Sequence, residues 1–154
     1  MHRRTAQVPG TVKAGQAAGP SAAVNNPTMS QALLREMFDR MVVAKDAALV
    51  PVYYHPDLLL TTNGQLQDYE AFASGHQKVY GTAISYAVTY DDEAWVESPD
   101  RVAGRMWITT QRPDEPPTRI EVVFIATFLG GQIHRLWELT WPDWSKLGAF
   151  ENYG

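Results

Sequence analysis

The sequence predicts an α+β domain in which helices pack on one face of a curved antiparallel sheet. Apolar residues recur at helical spacing up to about residue 80, and from residue 84 onward they follow the two-residue period of strands. The chain has 154 residues, which is enough for one hydrophobic core and too few for two. Helices followed by a run of strands are typical of an α+β arrangement.

Three regions of the chain differ in composition. Residues 1–27 are rich in Ala, Gly and Pro and almost lack large apolar side chains. Such a segment cannot bury enough surface to offset its ordering entropy, so we expect a disordered tail. An organelle transit peptide fits less well, because no clear amphipathic helix is present. We expect residues 28–147 to form the domain and residues 148–154 a short C-terminal tail.

Three helices are predicted ahead of the main run of strands. Thr28 and Gln31 have the spacing of a capping box at the start of the first helix. A second, short helix covers residues 47–54, and a third runs from about Asp68 to Tyr80. The first and third helices each carry an apolar stripe at spacings of three and four. The stripes consist of Leu34, Met37, Phe38 and Met41, and of Tyr69, Phe72, His76, Val79 and Tyr80.

Strands account for most of the remaining chain. A short strand over residues 58–62 ends at the turn Asn63-Gly64. The later strands are predicted over residues 84–90, 95–98, 101–112, 118–129 and 132–140. Gly130 and Gly131 separate the last two, and both accept the positive φ of a tight hairpin turn. The last two strands are therefore predicted to pair antiparallel.

Composition and charge exclude several kinds of protein. The net charge is −4, from 13 Lys+Arg against 17 Asp+Glu, which argues against a nucleic-acid partner that needs a basic face. No apolar run approaches about 18 residues, so no membrane partner is expected. Cysteine is absent, which fits the cytoplasmic location that we expect. The four histidines lack metal-ligand spacing, and we expect neither a metal nor another cofactor.

Both faces of the last two strands are largely apolar. One face carries Ile120, Val122, Phe124, Ala126 and Phe128, followed in the final strand by His134, Leu136, Glu138 and Thr140. The opposite face carries Glu121, Val123, Ile125 and Thr127, followed by Ile133, Arg135, Trp137 and Leu139. A sheet that is apolar on both sides has to be covered on both. We therefore expect a homodimer built sheet to sheet.

Two short motifs add to this order of elements: Tyr54-His55-Pro56-Asp57 after the second helix, and Gly131-Gln132-Ile133-His134-Arg135-Leu136-Trp137-Glu138 in the last strand. Over about residues 29–145 the chain resembles the nuclear transport factor 2-like superfamily. This superfamily includes ketosteroid isomerases and polyketide cyclases of the SnoaL type. The resemblance implies a cone-shaped sheet wrapped around the helices, with an apolar pocket inside for a small hydrophobic molecule. The residues expected to line this pocket are Tyr54, Phe38, Thr62, Phe124, Leu136 and His134.

The resemblance argues against steroid-type isomerisation. The isomerases' carboxylate base would fall at Thr61 or Thr62, and their oxyanion donors at Phe38 and Phe124, none of which supplies the required chemistry. SnoaL-type cyclases instead place an acid beside a Trp in the last strand, a position that Glu138 matches. Burial on an apolar face raises the pKa of such a carboxyl. The cyclases' companion His on the preceding strand is not found.

Glu138, His55 and His76 are the candidate catalytic residues. His134 shares a predicted face with Glu138 but lies four residues away, about 13 Å along an extended strand. The helical layer supplies His55 and His76, and either could approach Glu138 across the pocket. Each candidate also has a purely structural interpretation: an exposed acid for Glu138, a helix-end cap for His55 and a core histidine for His76.

Three functions are compatible with these residues. The first is a small cofactor-independent enzyme, a cyclase, isomerase or dehydratase that moves a proton on a hydrophobic carbonyl compound. The second is a non-catalytic module that binds an apolar ligand. The third is a dimerisation or assembly domain whose pocket is vestigial. Pocket chemistry, not fold, has to distinguish them.

Overall fold

The chain folds as helices packed against one side of a curved sheet, in a computed structural model that describes residues 29–147. Helix α1 (Met29–Met37) continues as a π-helical segment (Phe38–Val43). A 3-10 turn (Ala47–Leu49), α2 (Val50–Tyr53) and α3 (Tyr69–Tyr80) complete the helical layer. The capping-box residue Thr28 and both predicted tails lie outside the described residues.

The described strands are β1 (Tyr54–Thr62), β2 (Gln65–Asp68), β3 (Ser85–Tyr90), β4 (Val96–Ser98), β5 (Arg101–Gln111), β6 (Thr118–Leu129) and β7 (Gln132–Trp141). They form one sheet in the order β2-β1-β7-β6-β5-β3, with β4 also paired to β5. The predicted α+β fold class is confirmed. One pairing differs from the expected antiparallel sheet, because β1 runs parallel to β7. No hairpin joins these two strands, so no local turn signal in the sequence indicates their relative direction.

Two tight turns fix the register at opposite ends of the sheet. Gly130 and Gly131 have φ values of +59° and +76°, and the hairpin predicted there between β6 and β7 is confirmed. Asn63 and Gly64 have φ values of +50° and +84° and join β1 to β2. Strand β2 was not predicted, because its four residues, three of them polar, carry no strand periodicity.

Helices α1 and α3 pack their apolar stripes on the sheet. Leu34, Met37 and Met41 are each 2% exposed or less, as the spacing of α1 predicts. Asp68 caps the N-terminus of α3, because its side chain accepts a hydrogen bond from the backbone N–H of Ala71 at 2.9 Å. Both helices therefore bury one face and expose the other.

The alternation of β6 separates an inner face from an outer face. Its buried residues are Ile120, Val122, Phe124 and Ala126, while Val123 and Ile125 are each about half exposed. Within the described residues, the outer face also leaves Trp137, Leu139 and Trp141 exposed. Among residues 29–147, no helix has the length and apolarity needed to cross a membrane.

Candidate active site

A cavity of about 500 Å³ lies between the helical layer and the inner face of the sheet. Its wall is mainly apolar and aromatic, with a few polar groups, as in many small-molecule sites. Helix α3 contributes the most residues to the wall, and the helical segment 29–43 together with β1, β5, β6 and β7 supplies most of the others. The wall residues include Phe38, Tyr54, Thr62, Ala71, Phe72, Gly75, His76, Tyr80, Tyr86, Thr110, Phe124, Ile133, Leu136 and Glu138.

Glu138 places a carboxyl group in this wall. Phe124 of β6 and Thr62 of β1 are its neighbours across the sheet, so its side chain shares the inner face with theirs. Thr62 Oγ1 donates a hydrogen bond to Glu138 Oε2 at 3.0 Å. Glu138 is partly buried and lines the cavity.

This enclosure changes the acidity of Glu138. Burial raises the pKa of its carboxyl above the ordinary value, and the hydrogen bond from Thr62 offsets only part of the rise. The neutral, protonated form is therefore favoured to a higher pH than for a glutamate in water. A carboxyl whose pKa is raised in this way is a candidate proton donor or acceptor.

His76 brings a second titratable group to the wall from α3. Its Nδ1 lies 2.8 Å from the carbonyl oxygen of Phe72, and because a carbonyl can only accept, Nδ1 carries the proton in the neutral ring. The lone pair then belongs to Nε2. Burial lowers the pKa of His76, while the hydrogen bond to Phe72 partly opposes this shift. His76 is thus a neutral imidazole with a basic Nε2.

Aromatic rings connect this part of the wall. The ring of Phe72 lies 4.5 Å from that of Tyr54 and 4.0 Å from that of His76. Tyr80 continues the row at 5.4 Å from His76, and Tyr86 follows at 5.8 Å. Burial raises the pKa of the Tyr54 and Tyr80 hydroxyls, so both stay protonated. The row gives α3 a continuous aromatic side along the cavity.

The residues predicted from the sequence divide into two groups. Phe38, Tyr54, Thr62, Phe124 and Leu136 are part of the cavity wall together with Glu138 and His76. His55 and His134 are not part of it. Their rings lie 5.0 Å from each other, and the Nδ1 of His55 accepts a hydrogen bond from the backbone N–H of Asp57 at 3.0 Å.

A β-bulge explains why the prediction for His134 is wrong. Phe128 pairs with Ile133, but the next residue of β6, Thr127, pairs with Arg135, so His134 is an extra residue in β7. The bulge shifts the alternation by one, and Ile133 and Leu136 both face the cavity. For His55 the reason is simpler: Tyr54 faces the cavity and is the preceding residue of the same strand, so the next side chain points away.

Several wall residues were not predicted. Tyr80 and Gly75 lie on α3 close to His76, so the helical spacing could have identified them. Tyr80 is buried, and its hydroxyl has no hydrogen-bond partner among the described residues. Thr110 of β5 is a buried polar residue of the wall, and only the tertiary structure reveals its position.

Among residues 29–147, no group of three or more His, Asp or Glu side chains could hold a metal ion. The polar groups in the cavity wall include carboxyl, imidazole and hydroxyl groups and the amide of Gln67. Carboxyl and imidazole groups suit proton transfer.

Comparison with known proteins gives a fold and no named function. No protein-family model matches the chain, and no curated protein sequence matches it. Among solved structures, a proposed polyketide cyclase from Streptomyces antibioticus, IdmH, is 14% identical with a TM-score of 0.58, over 73% of this chain and 91% of that chain. An LEH-like epoxide hydrolase from M. tuberculosis is 12% identical with a TM-score of 0.61, over 72% and 81% of the two chains.

A third similar structure is Rd1NTF2_04 with a long sheet. It is 15% identical to this chain with a TM-score of 0.54, and the match covers 71% of this chain and 98% of that chain. Identities this low show a shared fold and not a shared activity. The sequence resemblance is confirmed at the level of architecture: the chain has the nuclear transport factor 2-like fold.

Proposed function

We propose that the domain is a small enzyme that moves a proton on a hydrophobic carbonyl compound held in the cavity, as in a cyclase, isomerase or dehydratase. The observation that carries this proposal is the carboxyl of Glu138, enclosed in an apolar cavity with one hydroxyl as its hydrogen-bond partner. Charged residues are rarely buried without a partner of opposite charge. A carboxyl whose pKa is raised by burial suits a general acid.

Glu138 and His76 have complementary roles in this reaction. The protonated Glu138 carboxyl donates its proton to the carbonyl oxygen of the substrate, while Nε2 of His76 accepts a proton from the adjacent carbon. The products of this step are an enol, a carboxylate and an imidazolium, and the charges balance. Return of the proton to a different carbon, ring closure or loss of water would complete the reaction. The mechanism needs no cofactor.

Hydrogen exchange tests the proposal without knowledge of the substrate. Acetophenone and 2-nonanone are incubated with the protein in D₂O, and deuterium entering next to the carbonyl is measured by NMR. We expect the wild type to accelerate exchange, and Glu138→Gln to reduce the acceleration by about 10²-fold or more. The matched control is Glu121→Gln, since Glu121 lies on the outer face of the neighbouring strand. Ketones that bind without any exchange would instead support a non-catalytic binding module.

The partner proposed for the outer sheet face is a second copy of the chain. Val123, Ile125, Trp137, Leu139 and Trp141 are between 45% and 76% exposed there, and a contiguous apolar surface of this kind favours an interface. Near this face, Arg105 forms ion pairs with both Glu121 and Asp91. Symmetric pairing of the face with a second copy would bury its exposed apolar side chains.

Light scattering tests this interface at micromolar concentration. We expect a dimer for the wild type and a monomer for Leu139→Asp, because the new carboxylate would be buried without a partner. Val52→Asp is the control, since Val52 is 54% exposed on α2, outside the sheet. A wild-type monomer would contradict the proposed interface and leave the cavity chemistry unaffected.

A further inference from the structure

Gly75 occupies the middle of α3 without a reason in the fold. The residue is in a regular helix, and a Cβ added to it would meet no atom within 4 Å. Alanine would therefore fit. Glycine in a helix interior is destabilising relative to alanine, because the unfolded chain loses more conformational freedom. The helix thus contains a destabilising residue that neither its backbone nor its packing requires.

The position of Gly75 in the wall supplies the missing reason. Large side chains of α3, those of Phe72, His76 and Tyr80, form one side of the cavity. Gly75 also lines the cavity, as does Ala71 one helical turn earlier, which is exposed to solvent. Because residues four apart share a helix face, these two small residues border the cavity where it approaches the surface.

We infer that Gly75 determines the size of the ligand that the cavity accepts. Gly75 lines the cavity, and the space where its Cβ would lie is open, so a larger side chain there would narrow the cavity. A bulky ligand would use this space, whereas a small ligand near Glu138 would not need it. The inference rests on the proposed function only in that a ligand occupies the cavity, and it holds whether or not a proton moves.

Two uncharged ketones of different size serve as probes. The naphthyl ketone Prodan is large and fluoresces according to its surroundings, and acetophenone is small and can be measured by its displacement of Prodan or by calorimetry. For Gly75→Leu we expect Prodan affinity to fall at least about tenfold, with acetophenone affinity within about twofold of the wild type. Ser74→Leu adds the same side chain at an exposed position of the same turn and should change neither affinity.

Gly75→Ala provides a second test that does not depend on the larger substitution folding. It should raise the melting temperature by about 2 °C while weakening Prodan binding measurably. Unchanged Prodan affinity in both Gly75 variants would overturn the inference, as would an equal loss of both probes. If the wild type bound neither ketone, the inference and the proposed function would fail together. If the Gly75 variants did not discriminate between the two ketones while deuterium exchange still depended on Glu138, only the inference about Gly75 would fail.

Discussion

Two glutamates on adjacent strands show how the two faces of the sheet differ. Glu121 of β6 lies on the outer face, where Arg105 Nε donates a hydrogen bond to it at 2.8 Å. Glu138 of β7 lies on the inner face, where its partner is the hydroxyl of Thr62 at 3.0 Å. Glu121 thus pairs with a cation at the solvent-accessible face, whereas Glu138 accepts from a neutral hydroxyl and lines the cavity.

The difference teaches that apolar surroundings alone do not identify a site. Both faces of the sheet are apolar, and on the inner face burial raises the pKa of the Glu138 carboxyl. The outer face has exposed Trp137 and Leu139, and the proposed dimer rests on this surface. The inner face borders the cavity that Glu138 and His76 line, and the proposed proton transfer rests on these two residues.

The largest predicted difference concerns stability. Phe124 is 4% exposed and its neighbour Ile125 is 45% exposed, so these adjacent residues of β6 lie on opposite faces of the sheet. Phe124→Ala should destabilise the domain by about 3 kcal/mol, at the lower end for this change because the ring already borders a cavity. Ile125→Ala should cost less than about 1 kcal/mol. Urea unfolding measures both, and equal losses would contradict the assignment of the faces.

Gly104 provides the next largest effect and a contrast with Gly75. A Cβ at Gly104 would lie 2.7 Å from the ring of Trp95, which also packs on Phe124 at 5.2 Å. Gly104→Ala should therefore destabilise the domain by about 1–3 kcal/mol, whereas Gly75→Ala should stabilise it. Thermal unfolding of the two variants shows the sign of each effect. If both substitutions changed the melting temperature in the same direction, the contrast between Gly104, which packs against Trp95, and Gly75, which borders the cavity, would be wrong.

The pH dependence of stability should also separate the two glutamates. Because burial raises the pKa of Glu138, the unfolded chain loses this proton first as the pH rises above about 4.3. Glu138 therefore favours the native state at low pH and disfavours it as the pH passes its folded pKa, by up to about 1.4 kcal/mol per pH unit. Glu138→Gln should remove this decline and Glu121→Gln should keep it. Unfolding curves at several pH values measure the two slopes.

The smallest expected effect belongs to the charges of the outer face. Arg105 forms ion pairs with Asp91 and Glu121, and its side chain is 40% exposed. Partly exposed pairs contribute little, so Arg105→Ala should cost no more than about 1 kcal/mol. A loss as large as that of Phe124→Ala would show that these charges, and not inner packing, hold β5 and β6 together.

The sequence predicted those features that depend on local patterns. The stripe of α1, the Gly130-Gly131 turn and the inner face of β6 all follow from spacing or from the chemistry of one turn. The parallel pairing of β1 with β7 and the bulge at His134 depend on tertiary pairing, which has no short-range signal. The bulge alone accounts for the wrong placement of His134.

The candidate site was predictable to a similar extent. Glu138 lies in the part of β7 beyond the bulge, where the two-residue period puts it on the same face as Leu136, and both residues line the cavity. Periodicity could not show that His76 lines the cavity and that His55 does not, because each residue belongs to an element whose orientation depends on tertiary packing. The empty space beside Gly75 is a property of the assembled cavity, and no pattern in α3 indicates it.

Titration of the Glu138 carboxyl by carbon NMR tests the central claim most directly. The carboxyl signals of wild type and of Glu138→Gln are compared across the acidic and neutral range, and the difference identifies Glu138. We predict a pKa above the ordinary glutamate value, and a further rise in Thr62→Val, which lacks the hydrogen bond that lowers it. A Glu138 carboxyl that titrates like a glutamate in water would contradict the enclosed site and the proton transfer built on it.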